Sequence, residues 1–288
     1  MKEEVISSPI RWAGSKKKLL NEMLNSFDNK REIYIEPFLG SGVILINVLN
    51  NSEFFNFRKY YVNDINSNII NFYKLLKNDY NYIEKNIEKI LKEYNSLIDI
   101  KAKEKFYYYI REQYNNINGK IKAIYFYFLM KAGFNGVYRE NSKGMFNVPF
   151  GKKNILSVNI ASLEAISKKI QKVEFFNMEY DTFINMLNKK IDFKDSFIYF
   201  DPPYLPEETI INKKQELYTK NSFNHEQFST FLKKIMDSRF IISMSDSFIS
   251  NKVYGEFKKY TVSNIIRTIN PKKIFKSKEV IFSNYKIH

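Results

Sequence analysis

A buried strand that runs directly into two prolines places the strongest constraint on the fold of this chain. The apolar run Ser196-Phe197-Ile198 is typical of a central strand, and Tyr199-Phe200-Asp201-Pro202-Pro203-Tyr204 follows it without a gap. Proline has no amide hydrogen to donate to a β-ladder, so the strand has to end at Asp201. The sequence therefore predicts an acid, two rigid prolines and an aromatic ring at the carboxyl end of a strand, where open α/β sheets bind ligands.

This arrangement suits the transfer of a methyl group to an exocyclic amine of a base. Such an amine is a poor nucleophile, because its lone pair is delocalised into the ring. The Asp201 carboxylate and a nearby backbone carbonyl can accept its two hydrogens, while Tyr204 stacks on the base and holds it at attack distance. The same residues also fit a strand followed by an ordinary proline turn. The tetrapeptide Asp201-Pro202-Pro203-Tyr204 alone leaves both interpretations open.

Two other predicted strands end in residues that suit a nucleotide. Ile33-Tyr34-Ile35 leads into Glu36-Pro37-Phe38-Leu39-Gly40-Ser41-Gly42 and then into an apolar helix, which is the beginning of a doubly wound sheet. The glycine loop lacks the full dinucleotide fingerprint. Tyr60-Tyr61-Val62 ends close to Asp64, whose carboxylate can accept both ribose hydroxyls of an adenosine or can cap the helix that follows. Both roles of Asp64 remain open at this stage.

The other apolar segments predict that the sheet continues after a long interval. Strands are expected at residues 173–177, 197–200, 240–245, 260–262 and 279–285. The last two have no helix signal between them, so we expect them to pair antiparallel at the sheet edge. Their connection, residues 270–278, is interpreted as a basic loop that either protects the edge or contacts phosphate.

The interval between residues 66 and 159 has a different pattern. Apolar residues recur at helical spacing and no strand is predicted, until a loop rich in glycine, amide, basic and aromatic residues spans 132–153. This loop fits either a β-hairpin that presents Arg and Asn to base edges or an ordinary surface hairpin. We therefore predict an α/β protein in which residues 1–65 and 160–288 form the sheet domain and residues 66–159 form an inserted helical domain.

Composition limits the classes of partner and site. The formal net charge of +15 favours a polyanionic partner, although a bias toward Lys, Asn, Ile, Tyr and Phe also accounts for part of the lysine excess. The chain has no cysteine, which excludes disulfides and thiolate zinc sites, and its two histidines argue against a histidine-rich metal site. We see neither a signal peptide nor an apolar run that could span a bilayer, so a cytoplasmic protein without a membrane partner is expected.

Taken in order, the motifs resemble those of the Dam-type (D12 class, alpha-group) DNA adenine-N6 methyltransferases. The similar segments cover nearly the whole chain and are Arg11-Trp12-Ala13-Gly14-Ser15-Lys16, the glycine loop at 36–42, Asp64-Ile65-Asn66, Phe146-Asn147-Val148-Pro149-Phe150-Gly151, Asp201-Pro202-Pro203-Tyr204 and Tyr218-Thr219-Lys220-Asn221-Ser222-Phe223. Three positions depart from the family pattern. Ser15 replaces a glycine, Met145 stands where an acidic residue is common, and Lys152 stands where arginine is common.

The resemblance implies a Rossmann-like fold of the S-adenosylmethionine-dependent methyltransferases, with a mixed seven-stranded sheet and an inserted target-recognition domain. It also implies S-adenosyl-L-methionine as the cofactor and no metal. The implied cofactor-binding residues are Trp12, Lys16, Phe38, Gly40, Asp64, Asp181, Phe183 and Asp201. The implied catalytic residues are Asp201, Pro202 and Tyr204, which would hold an adenine flipped out of the helix.

Double-stranded DNA is the implied partner, with GATC as the expected target. The implied DNA-binding residues are Phe134, Asn135, Arg139, Asn141, Asn147, Pro149 and Lys152. Among them, Arg139 is expected to read a guanine and Phe134 to wedge into the base stack. Arg139 also fits a role as a phosphate contact, or as an ion-pair partner of Glu140 or of nearby Asp residues. Methylation of RNA or of a protein glutamine, and DNA binding without catalysis, remain alternatives at this stage.

Overall fold

The computed structural model describes residues 4–204, 223–270 and 273–287, and a seven-stranded sheet forms its centre. The strands are β1 (Ile33–Glu36), β2 (Lys59–Asn63), β3 (Val173–Phe176), β4 (Ser196–Phe200), β5 (Arg239–Ser245), β6 (Lys258–Asn270) and β7 (Lys273–Ser283). Their order across the sheet is β3-β2-β1-β4-β5-β7-β6. The pairs among β1 to β5 are parallel, whereas β7 runs antiparallel to both β5 and β6. The predicted α/β class with a mixed seven-stranded sheet is confirmed.

The strand order reverses beside β1, and this reversal creates the binding crevice. From β1 the chain adds β2 and β3 on one side, then returns to place β4 and β5 on the other. Loops that leave β1 and β4 therefore depart in opposite directions and open a gap at the carboxyl edge, the usual ligand position in such sheets.

The described helices cover the sheet and fill the interval between β2 and β3. They are α1 (Leu20–Asn25), α2 (Val43–Asn50), α3 (Ser67–Asn78), α4 (Tyr80–Ser96), α5 (Ile100–Asn116), α6 (Lys120–Ala132), α7 (Ile160–Lys169), α8 (Tyr180–Asn188), α9 (His225–Leu232) and α10 (Phe248–Tyr254). No helix among the described residues combines the length and apolar character needed to cross a bilayer.

Alternating side chains of β4 build the core on both faces of the sheet. Phe197 and Tyr199 belong to the hydrophobic cluster that includes β1 residue Tyr34, whereas Ile198 and Phe200 belong to the cluster on the opposite face. Every residue of β4 is buried, as expected for a central parallel strand with helices on both sides. This packing fixes the end of β4, and with it the position of Asp201.

Residues 64–172 contain no β-strand, in agreement with the predicted helical pattern. The helix α3 packs against the sheet, where the Tyr73 and Phe175 rings stack with centroids 5.8 Å apart. On its other side the rings of Phe72 and Tyr127 stack at 5.7 Å, which joins α3 to α6. The helices α4 to α6 are thus attached to the sheet through α3.

The antiparallel pair at the end of the chain is confirmed, but it is longer than predicted. Its ladder extends to the pair Asn270 and Lys273, so the interpretation of 273–278 as a loop is wrong. Residues 273–278 pair with the edge strand β6, and at a sheet edge charged residues are common and lysines do not prevent pairing. Residues 271–272 lie outside the described residues, as do 218–222 of the motif at 218–223.

Candidate active site

A cleft of about 550 Å³ opens at the carboxyl ends of β1, β2 and β4. Four separate motifs meet there: the N-terminal segment, the glycine loop after β1, Asp64-Ile65-Asn66 after β2 and the tetrapeptide after β4. The residues of the predicted site that line it are Trp12, Lys16, Phe38, Gly40, Asp64, Asp201, Pro202 and Tyr204. Ile65, which belongs to the Asp64-Ile65-Asn66 motif but was assigned no role of its own, also lines the cleft and is 60% exposed.

The glycine loop needs its glycines for steric reasons. Gly42 precedes α2 with φ of 74°, and a Cβ there would lie 2.4 Å from the Tyr73 hydroxyl. Gly40 has φ of 51°, and a Cβ at this position would lie 3.4 Å from the indole of Trp12. Side chains other than glycine are strained at such φ values. The loop therefore brings its backbone close to Trp12 and leaves the cleft open.

The carboxylate of Asp64 joins the end of β2 to the glycine loop. Its Oδ2 accepts a hydrogen bond of 2.8 Å from Gly40 N, and its Oδ1 accepts one of 2.8 Å from Asn66 N. Burial raises the pKa of Asp64, and these two backbone bonds partly oppose that effect. Asn66, rather than Asp64, caps α3 by accepting from Asn68 N, so the interpretation of Asp64 as the helix cap is wrong.

Lys16 and Asp201 form a buried ion pair on the floor of the cleft. Lys16 Nζ lies 2.7 Å from Asp201 Oδ1, and the two side chains are 5% and 22% exposed. Burial alone lowers the pKa of Lys16, but the negative charges of Asp201 and Glu279 outweigh it and raise the pKa above its ordinary value. Lys16 is therefore a permanent cation that orients the carboxylate of the tetrapeptide.

Tyr204 is held at one face of its ring and at its hydroxyl. Lys16 Nζ lies 4.5 Å from the ring centroid. The hydroxyl of Tyr204 donates to Glu279 Oε1 and lies 3.2 Å from Ser243 Oγ. Burial raises the pKa of Tyr204, so the phenol keeps its proton. Sequence reasoning missed Glu279 and Ser243, since each lies on a strand with no motif around it.

His225 supports the tetrapeptide from the other side. One ring nitrogen, Nδ1, lies 2.6 Å from the Tyr254 hydroxyl. The ring also hydrogen-bonds to the backbone of Pro203, whose carbonyl is its only polar backbone group, so the imidazole donates there. Burial lowers the pKa of His225 to about 4, so the imidazole is neutral near pH 7. The backbone around Pro203 is thus held by a donor from α9.

Two residues of the predicted cofactor site, Asp181 and Phe183, are not among those that line the cleft. Phe183 is fully buried, and its ring centroid lies 5.3 Å from that of Phe176 in the core beneath β3. Asp181 lies in the first turn of α8, where its Oδ1 accepts a hydrogen bond of 2.6 Å from Thr182 N. Neither side chain lines the cleft described above.

The loop at 132–153 folds back on itself through isolated antiparallel bridges between Gly133 and Phe150 and between Glu140 and Phe146. At its exposed end Phe134 is 52% exposed. Arg139 is held across the hairpin, with its Nε 2.7 Å from Asn147 Oδ1. The loop thus presents an aromatic ring and an oriented guanidinium on its outer surface.

The other predicted DNA-binding residues have backbone roles in the same loop. Asn141 Oδ1 accepts from Lys143 N and Met145 N, which closes the turn. The carbonyl of Pro149 accepts from Phe134 N at 2.9 Å. Asn135 and Lys152 both have φ of 52°, which marks the two bends where the loop leaves and rejoins the helical region.

The loop and the cleft are in direct contact. The ring of Tyr138 stacks on Trp12 with a centroid distance of 5.6 Å and an interplanar angle of 26°. The Tyr138 hydroxyl donates to Glu140 and accepts from Asn68 Nδ2. A residue of the loop therefore packs on a residue that lines the cleft.

Comparison with known proteins agrees with this architecture. A sequence model of the D12 class N6 adenine-specific DNA methyltransferases matches residues 12–269. The type II methyltransferase M.MjaIII of Methanocaldococcus jannaschii is 31% identical, over 96% of this chain and 98% of the relative. The DNA adenine methylase of Haemophilus influenzae is 30% identical, over 94% and 91% respectively. That of Escherichia coli is 29% identical, over 76% of this chain and 71% of the relative.

The family match spans the N-terminal motif, the glycine loop, the hairpin loop and the tetrapeptide, and the mixed sheet has the methyltransferase fold that the sequence predicts. These observations together show that the chain belongs to the D12 class of N6 adenine-specific DNA methyltransferases.

Proposed function

We propose that the chain transfers a methyl group from S-adenosyl-L-methionine to N6 of an adenine flipped out of duplex DNA, at GATC sites. The observation that carries this proposal is the meeting of Lys16, Asp64 and Asp201 in one cleft beside an exposed hairpin. The family supplies the reaction type, and the cleft supplies residues suited to each part of it.

The cleft suits S-adenosylmethionine in shape and polarity. Each carboxylate oxygen of Asp64 accepts one backbone hydrogen bond and has a further lone pair for a ribose hydroxyl. Trp12 and Phe38 offer apolar walls, and Gly40 leaves room for close approach. When bound, the cofactor supplies a sulfonium-activated methyl group. The family resemblance alone assigns Asp181 and Phe183 to the adenine end of the cofactor, and neither is among the residues that line this cleft.

The tetrapeptide suits activation of the target amine. The Asp201 carboxylate and the Pro202 carbonyl accept the two amine hydrogens, which draws the nitrogen lone pair out of conjugation with the ring. Tyr204 stacks on the base and sets the attack distance. As the nitrogen gains the methyl group it becomes positive, and the preorganised Asp201 carboxylate stabilises that developing charge. The extra proton then passes from the nitrogen to solvent.

Residues 66–159 are proposed as the target-recognition domain, with the loop at 132–153 facing DNA. Arg139 is assigned to a guanine, since a guanidinium matches the two acceptors of that base. Phe134 is assigned to the gap that opens as the adenine leaves the stack. Asn135 and Lys152 bend the loop, and Asn141, Asn147 and Pro149 set its shape.

Expression in a methylation-deficient host tests this proposal. Plasmid from the host should resist a nuclease that methyladenine blocks at GATC and should be cut by one that requires it. Purified protein with radiolabelled cofactor should label duplex DNA, but not RNA or protein. Methylation at another motif with GATC untouched would overturn the GATC assignment, and labelling of RNA or protein alone would overturn the choice of DNA.

A further inference from the structure

A fully buried carboxylate lies behind the candidate active site without lining the cleft. Glu279 is 0% exposed, and its Oε1 accepts hydrogen bonds from the Tyr204 hydroxyl and, at 3.0 Å, from Ser243 Oγ. The same oxygen lies 3.6 Å from Lys16 Nζ. Burying a carboxylate is costly unless it is paired and hydrogen-bonded. Its partners here include two residues of the cleft.

The position of Glu279 in the sheet makes it a rigid support. It lies on β7 opposite Ser245 of β5 and Ser263 of β6, so its backbone is fixed on both sides. The strand β5 lies directly beside β4, whose last residue, Phe200, precedes Asp201. Glu279 therefore reaches the tetrapeptide from a strand far along the chain and can influence the reaction only through the residues that it contacts.

We propose that Glu279 is a positioning residue for methyl transfer, which it serves by fixing Tyr204 and by sharing the charge of Lys16 with Asp201. The inference rests on the proposed roles of Asp201 and Tyr204. A ring anchored at its hydroxyl loses less conformational freedom when a base stacks on it.

The charges of Lys16, Asp201 and Glu279 support the same role for Glu279. The Glu279 carboxylate brings a second negative charge to Lys16, beside that of Asp201. The amine becomes positive as it accepts the methyl group, so a further negative charge close to it stabilises the transition state more than the ground state. Glu279 is thus expected to affect turnover more than binding.

The variant Glu279→Gln tests this inference, because it keeps the size and one acceptor oxygen but removes the charge. We expect kcat on duplex DNA to fall about tenfold or more. The dissociation constant for S-adenosylmethionine should change by less than about threefold. Glu174→Gln, on the exposed face of β3, is the matched control and should keep the wild-type kcat.

A double-mutant cycle with Tyr204→Phe identifies the route of the effect. This second variant removes the anchored hydroxyl but keeps the ring, and its kcat should also fall. If the two residues act together, the double variant should lose clearly less than the product of the two single losses. Strictly multiplicative losses would overturn the action of Glu279 through Tyr204.

The variants Asp201→Asn and Glu279→Gln together distinguish a failure of this inference from a failure of the proposed function. If Asp201→Asn abolishes methylation while folded Glu279→Gln retains the wild-type kcat, the Glu279 inference is wrong and the proposed function stands. If Asp201→Asn itself leaves turnover intact, the proposed role of the tetrapeptide is wrong. Should Glu279→Gln fail to fold, Tyr204→Phe and Ser243→Ala replace it as probes of the same hydrogen bonds. Wild-type kcat in both of them would overturn the inference.

Discussion

Lys16 Nζ lies 2.7 Å from Asp201 Oδ1, although 185 residues separate the two in the chain. The contact joins the N-terminal motif to the tetrapeptide at the end of β4, on the floor of the cleft. It gives the carboxylate a defined orientation before any ligand binds, which is how a site avoids reorganisation during reaction.

Replacement of Asp201 by asparagine should remove nearly all methyl transfer. The amide has only one acceptor oxygen and no negative charge, so the amine lone pair stays in conjugation with the base. Loss of such an electrostatic group costs roughly 10²-fold or more in kcat. Single-turnover methylation of a GATC duplex measures it. The surface variant Asp237→Asn serves as the control, and near wild-type turnover in Asp201→Asn would contradict the assigned role.

Asp64→Ala should weaken cofactor binding more than it slows saturated turnover. The lost bonds would go to the ribose, remote from the methyl group, and a hydrogen bond to a charged group is worth about 1.5–3 kcal/mol. Calorimetric titration with S-adenosylmethionine measures the effect. Asp99→Ala is a matched control, because Asp99 caps α5 by accepting from Ala102 N at 2.7 Å. Unchanged cofactor affinity in Asp64→Ala would remove the ribose assignment.

Arg139→Ala should relax discrimination at one base pair of the target. A base-reading arginine contributes about 1–3 kcal/mol at the position that it reads. Asn147→Ala should give a smaller loss at the same position, because the Asn147 side chain holds the Arg139 fork by a bond of 2.7 Å. Methylation rates on GATC and on each single-base variant of it measure both effects.

If Arg139 instead contacts phosphate, its replacement should give a different and measurable result. A phosphate-contacting arginine would weaken binding to all sequences alike and would flatten the dependence of affinity on salt. That outcome would reassign Arg139 from base recognition to contact with the DNA phosphate backbone. The variant Asn147→Ala would then leave sequence preference unchanged.

The strand ends of the candidate site were predictable because their signals are local. Prolines after β4, glycines after β1 and an acid after β2 each mark the end of a strand, and parallel strands bring those ends to one edge. The roles of Asp64 and Phe183 were harder to predict from the sequence. Whether Asp64 caps a helix depends on the exact start of α3, and an apolar residue one turn into α8 shows no local sign of which side it faces.

The contact between Tyr204 and Glu279 could not be predicted from sequence. It depends on β7 lying beside β5, and the two residues are 75 positions apart with no motif around the second. The full length of β6 and β7 was not predicted for a related reason. Lysine-rich segments have the composition of loops, and only their pairing at the sheet edge shows that they are strands. Long-range strand pairing is the information that local patterns lack.

The stability of the protein should fall in mildly acidic solution because of His225. Burial lowers the pKa of this imidazole from 6.5 to about 4, so the folded state binds its proton less tightly than the unfolded chain does. Stability is therefore full above pH 6.5 and is lost as the pH falls toward 4.

At about 1.4 kcal/mol for each pKa unit, the His225 contribution amounts to roughly 3 kcal/mol. Chemical unfolding between pH 7.5 and 4 measures it, and His225→Gln should flatten the curve in this window while it lowers stability at pH 7.5, because the Tyr254 and Pro203 contacts are disturbed. The same slope in wild type and variant would show that other groups, and not this imidazole, set the acid sensitivity of the fold.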